Sequence, residues 1–331
     1  MYQYRSLFLA FALVACGDKD STSGDGSDTE TDTDTDTDTD TDVPGPDPAT
    51  VELAGDCALE NMYGYFAVES YEDYSLVNGK ILDGVVPVTI LEPMGEEGDC
   101  QLLRRNNPFC DPACAPNETC DPVLGCVPYP SEQDLGTVTV EGLLEEVVME
   151  PISPGFSYFD IDVPHIPYDP GGLVTLSSTG AQVGPMQMYG VGVQPLEIPK
   201  GNFVLYRDQD LVFTWTPPEG PVRSSVFTRV TVDQHGLTPI QLTCETADDG
   251  EIAVPAALVT ALIDAGVTGF PNGLIIRHTV DSMPVLDVGC VEFQVNSPRD
   301  AHIRVDGFIP CTRDEDCPTG QSCNTLIEIC E

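Results

Sequence analysis

Thirteen cysteines constrain this chain more than any other residue type. Cys16 closes an apolar N-terminal stretch, and the other twelve lie beyond residue 56 in four groups. Cys57 and Cys100 flank one stretch, and Cys244 and Cys290 flank another. Cys110, Cys114, Cys120 and Cys126 crowd together, as do Cys311, Cys317, Cys323 and Cys330 at the C-terminus. An even dozen reads as six disulfides formed in an oxidising compartment. The flanking pairs suggest Cys57–Cys100 and Cys244–Cys290, each closing its own stretch, whereas a four-cysteine cluster allows three connectivities. Structural zinc is the competing use of four thiolates, but only Cys110 and Cys114 have a suitable spacing and no histidine lies near. The expectation is therefore disulfides, with no metal and no cofactor.

The two clusters read as an internal repeat. Residues 114–126 are CAPNETCDPVLGC and residues 317–330 are CPTGQSCNTLIEIC. Both place five residues between their first two cysteines, and both follow the middle cysteine with Asp121 or Asn324. Segments this short cannot bury a core, so cross-links must hold them. The run CTRDEDCPTGQSC, from Cys311 to Cys323, resembles EGF-like and Dickkopf-like extracellular knots. That resemblance implies first-to-third and second-to-fourth pairing: Cys110–Cys120, Cys114–Cys126, Cys311–Cys323 and Cys317–Cys330.

The N-terminus reads as an address. Arg5 supplies a positive start, and Ser6 to Ala15 is too short to span a bilayer, which takes roughly 20 residues. Leu13-Val14-Ala15-Cys16 resembles the bacterial lipobox. The resemblance implies a signal peptide at 1–15, cleavage before Cys16 and acylation of Cys16. More than one acyl chain makes such anchoring stable. By the enterobacterial sorting rule, Gly17 in place of Asp directs the protein to the outer membrane, facing the periplasm or the cell surface.

Residues 16–50 follow as an acidic tether. Thr29 to Asp42 is almost a Thr-Asp dipeptide repeat without apolar side chains, so it cannot offset the entropy of ordering. A flexible chain of this length has an end-to-end distance of about 30 Å, and like-charge repulsion extends it. The tether does not account for the whole charge of −42: residues 51–331 carry 43 acids and 11 bases, a net of −32. Such a field repels nucleic acid and excludes it as a partner.

Gly and Pro number 30 and 29, which favours turns over long helices. Candidate strands are Gly64–Val68, Val85–Leu91, Thr137–Gly142, Leu173–Ser177, Met186–Val193, Leu211–Trp215, Val226–Asp233, Leu274–Val280 and Val291–Val295. In Val226–Asp233, the residues Val226, Thr228, Val230 and Val232 share one face. One short helix is expected over Ala256 to Asp264, with Pro255 at its first position and Gly266 at its end. The fold class is mostly β: antiparallel β-sandwich units with two disulfide-rich knots. The expected division is a small β module at 51–103, the first knot at 104–130, a β-sandwich region at 131–308 and the second knot at 309–331. The body resembles the immunoglobulin superfold in strand content alone, because Trp215 precedes both Cys244 and Cys290 instead of lying between them. Lipobox, Thr-Asp tether, paired knots and β body together resemble lipoproteins of myxobacteria and related bacteria. That resemblance carries no activity with it.

Catalytic signals are thin. His165, His235, His278 and His302 are mutually distant, with no HExxH, GxSxG or P-loop motif. Asp160 and Asp162 could share one side of a strand, but with 55 acidic residues such pairs arise freely. Asp248-Asp249-Gly250 reads as a turn, and Asp314-Glu315-Asp316 as a solvated loop that could touch a cation. Tyr63, Tyr65, Phe66, Tyr71 and Tyr74 crowd into twelve residues, either as the core of the first module or as a surface for stacking on sugars. The resulting expectation is a non-enzymatic, lipid-anchored binding or structural protein whose partners are the membrane and an envelope protein or glycan. The alternatives are a hydrolase using scattered carboxylates and a protease-inhibitor-like knot.

Overall fold

A computed structural model describes residues 45–105, 109–220, 223–233 and 239–331. The signal peptide, Cys16, the Thr-Asp repeat and His235 lie outside the described residues. Gly45–Glu331 forms one compact unit.

The chain opens with a hairpin of β1 (Met62–Ser70) and β2 (Ser75–Ile81), followed by β3 (Leu91–Glu97) and β4 (Cys100–Arg105). The first knot holds β5 (Glu118–Asp121) and β6 (Gly125–Pro128). Next come β7 (Val138–Glu141), β8 (Val147–Met149), β9 (Tyr158–Val163), β10 (Leu173–Ser178) and β11 (Gln187–Val191). They lead into β12 (Asn202–Leu205), β13 (Leu211–Thr214), β14 (Ser225–Thr231), β15 (Ile240–Ala247) and β16 (Glu251–Val254). Helix α1 (Ala256–Asp264) precedes the two longest strands, β17 (Asn272–Val285) and β18 (Gly289–Val305). The second knot ends the chain with β19 (Cys323–Asn324) and β20 (Ile329–Cys330).

Among the described residues the molecule is mostly β and centres on a ten-stranded sheet. Its order is β3-β4-β15-β14-β17-β18-β1-β2-β9, with β12 also beside β18. All its pairs are antiparallel except β1–β18 and β12–β18. The long β18 therefore takes β1 along its first half and β12 along its last residues.

Side-chain alternation gives this sheet two unlike faces. On the apolar face, Phe66, Val68, Val226, Val230, Phe293 and Val295 are fully buried. Burying each such side chain contributes about 1.5–3 kcal/mol. One half of this face packs under the four-stranded sheet β11-β10-β7-β8, through Val138, Val140, Val174, Leu176 and Met188. The other half packs under the β13–β16 ribbon and α1. Helix α1 presents Leu258, Val259, Leu262 and Ile263 on one side, the spacing that faces a core. The opposite face of the sheet is polar. It carries Glu69, His278, Glu292, Gln294 and Asn296 as cross-strand or same-strand neighbours.

Both long-range disulfide expectations are corrected. Cys57 pairs with Cys290, and Cys100 with Cys244. Neighbours in sequence are not neighbours in this sheet. β1, just after Cys57, lies parallel to β18, which places Met62 beside Cys290. Cys100 opens β4 directly opposite Cys244 on β15. For the same reason residues 51–103 are not a separate module, since β1 to β4 are built into the sheet of β14, β15, β17 and β18. The expected strand Val85–Leu91 is instead a 3-10 turn at Pro87–Thr89, because a proline has no N–H to give a ladder. Pro255 sits one residue earlier than expected, at the N-cap of α1.

Within the knots the structure pairs Cys110–Cys120, Cys114–Cys126, Cys311–Cys323 and Cys317–Cys330. Asp121 and Asn324 do the same job in each copy. The Asp121 carboxylate accepts from the amides of Val123 and Leu124, and the Asn324 side-chain oxygen accepts from Leu326. Each residue thereby caps the turn of its hairpin.

Candidate functional site

The β1–β2 hairpin closes on two tyrosines. The amide of Tyr71 donates to the carbonyl of Tyr74 at 2.9 Å, leaving Glu72 and Asp73 at the tip. Facing each other across the hairpin, the two rings stack with centroids 4.6 Å apart and planes 13° from parallel. Tyr71 is held from below. Its hydroxyl donates to Glu69, whose second oxygen accepts from the Asn78 side chain at 2.8 Å. Burial raises the pKa of Glu69 against these two hydrogen bonds, and burial with the nearby Glu69 charge pushes Tyr71 well above the ordinary phenol range. Arg299 on β18 donates to the Ser70 carbonyl at 3.0 Å and fixes the base of the hairpin.

The stacked pair borders a cleft of about 920 Å³, within the range of roughly 300–1,000 Å³ typical of small-ligand sites. The segment from Pro195 to Gly201 forms its other side. Glu72, Asp73, Glu197 and Asp300 bring carboxylates to this cleft, and Lys200, Arg299 and His302 bring donors. Tyr74 is 46% exposed, so part of the pair is available to a ligand. The aromatic row therefore divides. Phe66 is core and packs against Tyr158, Tyr63 packs on the core edge, Tyr65 is exposed, and Tyr71 with Tyr74 lines the cleft.

A second cleft of about 570 Å³ runs across the polar face between residues 56–62 and the β3–β4 hairpin. Its two sides are cross-linked to the sheet, one through Cys57–Cys290 and the other through Cys100–Cys244. Phe227, Ile276, Leu59 and Met62 supply apolar surface. His278 meets Glu245 at 2.8 Å. Glu292 is 2% exposed and accepts from the Cys57 amide at 2.8 Å and from Gln294 at 2.6 Å. Burial raises the pKa of Glu292, and Asp56 adds to the rise. Asp56 stands at the rim, where surrounding protein and the Glu245 carboxylate raise its own pKa while His278 opposes them.

The remaining sequence candidates lie elsewhere. Asp160 accepts from the Asp162 amide on β9 and borders neither cleft. His165 contacts Ser75 at 3.3 Å. Asp314 and Asp316 are bonded into the second knot: Asp314 accepts from the Cys323 amide and Asp316 from the backbone and hydroxyl of Thr312. Those hydrogen bonds hold the Asp316 carboxyl below its usual pKa. Asp248, read as a turn residue, is buried as the counter-ion of Arg277. Sequence reasoning missed His278, Glu245 and Glu292 as a group. Strand alternation could have placed Glu292 and Gln294 on one face, but nothing in the sequence brings Glu245 on β15 near the β17–β18 hairpin.

No family model and no curated protein sequence matches the chain. Among solved structures, the FN1–FN3 domains of chicken CNTN1 overlap 70% of this chain and 78% of their own, at 10% identity and a TM-score of 0.19. A calcium-stabilised adhesin with which an Antarctic bacterium binds ice overlaps 76% of this chain and 51% of its own, also at 10% identity and 0.19. Overlap this slight assigns no ligand. No helix among the described residues is long and apolar enough to cross a membrane.

Proposed function

We propose that this chain is a lipid-anchored envelope protein, attached through Cys16 to the outer membrane, whose β ectodomain is a non-enzymatic binding module. Its ligand at the hairpin cleft is a neutral saccharide of the envelope or of a contacted surface. The stacked Tyr71–Tyr74 pair carries this reading. An aromatic ring offers a flat apolar face to the C–H side of a sugar, and neighbouring carboxylates accept from its hydroxyls. Tyr71 is already fixed by Glu69 and by the stack, so little ordering entropy remains to be lost on binding. Four carboxylates at the cleft and a net charge of −32 over residues 51–331 oppose anionic sugars.

The test is a glycan array probed with the purified protein and with Tyr71→Ala and Tyr74→Ala. Binding to neutral glycans, lost at least tenfold in both variants, supports the site. Silence on every glycan, or wild-type binding by both variants, sinks it. Anchoring is tested separately: Cys16→Ala should release the protein from membranes washed in high salt, and continued attachment would count against acylation.

A further inference from the structure

The cleft on the polar face has the chemistry of a receptor for a positive ligand. Five of the residues that line it are acidic: Asp56, Glu96, Asp99, Glu245 and Glu292. No Lys or Arg lines it, and no ion pair joins any of the five to a lysine or arginine among the described residues. Glu292 is almost wholly buried with no lysine or arginine beside it, and the nearby base, His278, is already bonded to Glu245, an arrangement that favours arrival of a cation. Acceptors also outnumber donors here. Against these five carboxylates, only Gln101, Thr243, His278 and Gln294 bring side-chain donors to the lining.

The arrangement does not suit a bare metal ion. Among the described residues, only cysteine sulfurs gather three potential ligand atoms within 4.8 Å of one another, and those sulfurs are in disulfides. A divalent ion needs several oxygens at about 2.0–2.6 Å. These carboxylates instead border a trough that also presents Phe227, Ile276, Leu59 and Met62. Apolar surface is wasted on a hydrated metal and useful to a ligand with a hydrocarbon body. An ammonium group supplies up to three N–H donors to surplus acceptors, and an aromatic face such as that of Phe227 attracts a cation.

We infer that this trough binds a small organic cation, an amine carried on an apolar aryl or alkyl stem. The two cross-links that tie its sides to the sheet make the site pre-built, so binding needs no rearrangement of the walls. Binding is independent of the saccharide cleft and does not rest on that reading.

The experiment is calorimetric titration of the purified protein with phenethylamine, with phenylacetate and with calcium chloride. The first two share a body and differ in the sign of their charge. Phenethylamine is expected to bind saturably at millimolar concentration or below and to weaken as salt rises, while phenylacetate gives no heat of binding. Glu245→Gln and Asp56→Asn, both at accessible positions, should weaken the amine at least tenfold with an unchanged circular dichroism spectrum. Tyr74→Ala should leave it unaffected. Absence of saturable amine binding, equal binding of the carboxylate, or indifference to both substitutions overturns the inference. So does calcium that displaces the amine stoichiometrically and is itself lost in the same variants, since the trough would then be a metal site.

Discussion

Replacing Asp248 with asparagine strands a guanidinium in the interior. Arg277 and Asp248 are 1% and 0% exposed at their side chains and meet at 2.6 Å. The network around them is complete. Arg277 gives two bonds to Asp248 and three to the carbonyls of Gln194, Pro195 and Thr216, which uses all five of its N–H groups. Asp248 accepts from Arg277 twice, from the Trp215 indole at 2.8 Å and from the Ser224 hydroxyl at 2.6 Å. Asparagine keeps the shape but removes the charge and turns an N–H toward one of these donors. A unit charge pair at about 4 Å interacts by roughly 4 kcal/mol at an effective dielectric constant near 20. Breaking a buried pair costs about 3–5 kcal/mol in measured cases. At about 2–4 °C per kcal/mol for large domains, the melting temperature should fall by roughly 6–20 °C. Trp215 is the only tryptophan, so its emission reports directly on the network during urea or thermal unfolding. A second variant separates the pair from general damage: Asp248→Leu with Arg277→Met removes both charges and should be more stable than Asp248→Leu alone. A loss below about 1 kcal/mol in Asp248→Asn, or a double variant no better than the single one, would refute the reasoning.

Four further outcomes follow from the packing and electrostatics. Non-reducing peptide mapping should recover Cys57–Cys290 and Cys100–Cys244. Recovery of Cys57–Cys100 would contradict the strand order. Removing Cys57–Cys290, which closes 233 residues, should lower stability by about 5 kcal/mol on a chain-entropy estimate, read from urea midpoints. Glu292 has a pKa raised by burial, so the fold favours its protonated form. Its contribution is fully present below the ordinary value near 4.5 and is lost as pH rises through the raised one. Glu292→Gln should therefore gain on the wild type as pH climbs from 4 toward 7, and parallel stability profiles would show that the carboxyl does not titrate in this way. Gly79 lies under Phe66, where an added Cβ would sit 2.2 Å from the ring. Gly79→Ala should cost about 1–3 kcal/mol by overpacking, and a melting curve identical to wild type would place the ring elsewhere.

Local signals were legible in the sequence and distant ones were not. Val226, Thr228, Val230 and Val232 alternate, and all four are fully buried. Helix α1 runs over Ala256–Asp264, the span that its residues suggest. The knots depend on spacings of 10 to 13 residues, short enough for sequence to carry their outline. Cys57 and Cys290 are joined only by a parallel pairing of β1 with β18, and no pattern along either segment encodes its partner. The clefts share that limit. Tyr71 and Tyr74 are three residues apart and visible as a pair, whereas His278, Glu245 and Glu292 come together from three strands. Asp248 misled because an acid followed by Asp-Gly has the composition of a solvated turn, while its indole and guanidinium partners lie 33 and 29 residues away.

The bond between Cys57 and Cys290 also sets how the molecule carries tension. A pull applied at Gly45 can unravel the chain only as far as Cys57 before it reaches β18 through covalent bonds. That strand is central in the sheet and reaches both clefts, supplying Glu292 and Gln294 to one and Arg299, Asp300 and His302 to the other. Were a ligand held in either cleft, force between it and the N-terminal end would travel along one strand. The helix and both knots stay outside that line.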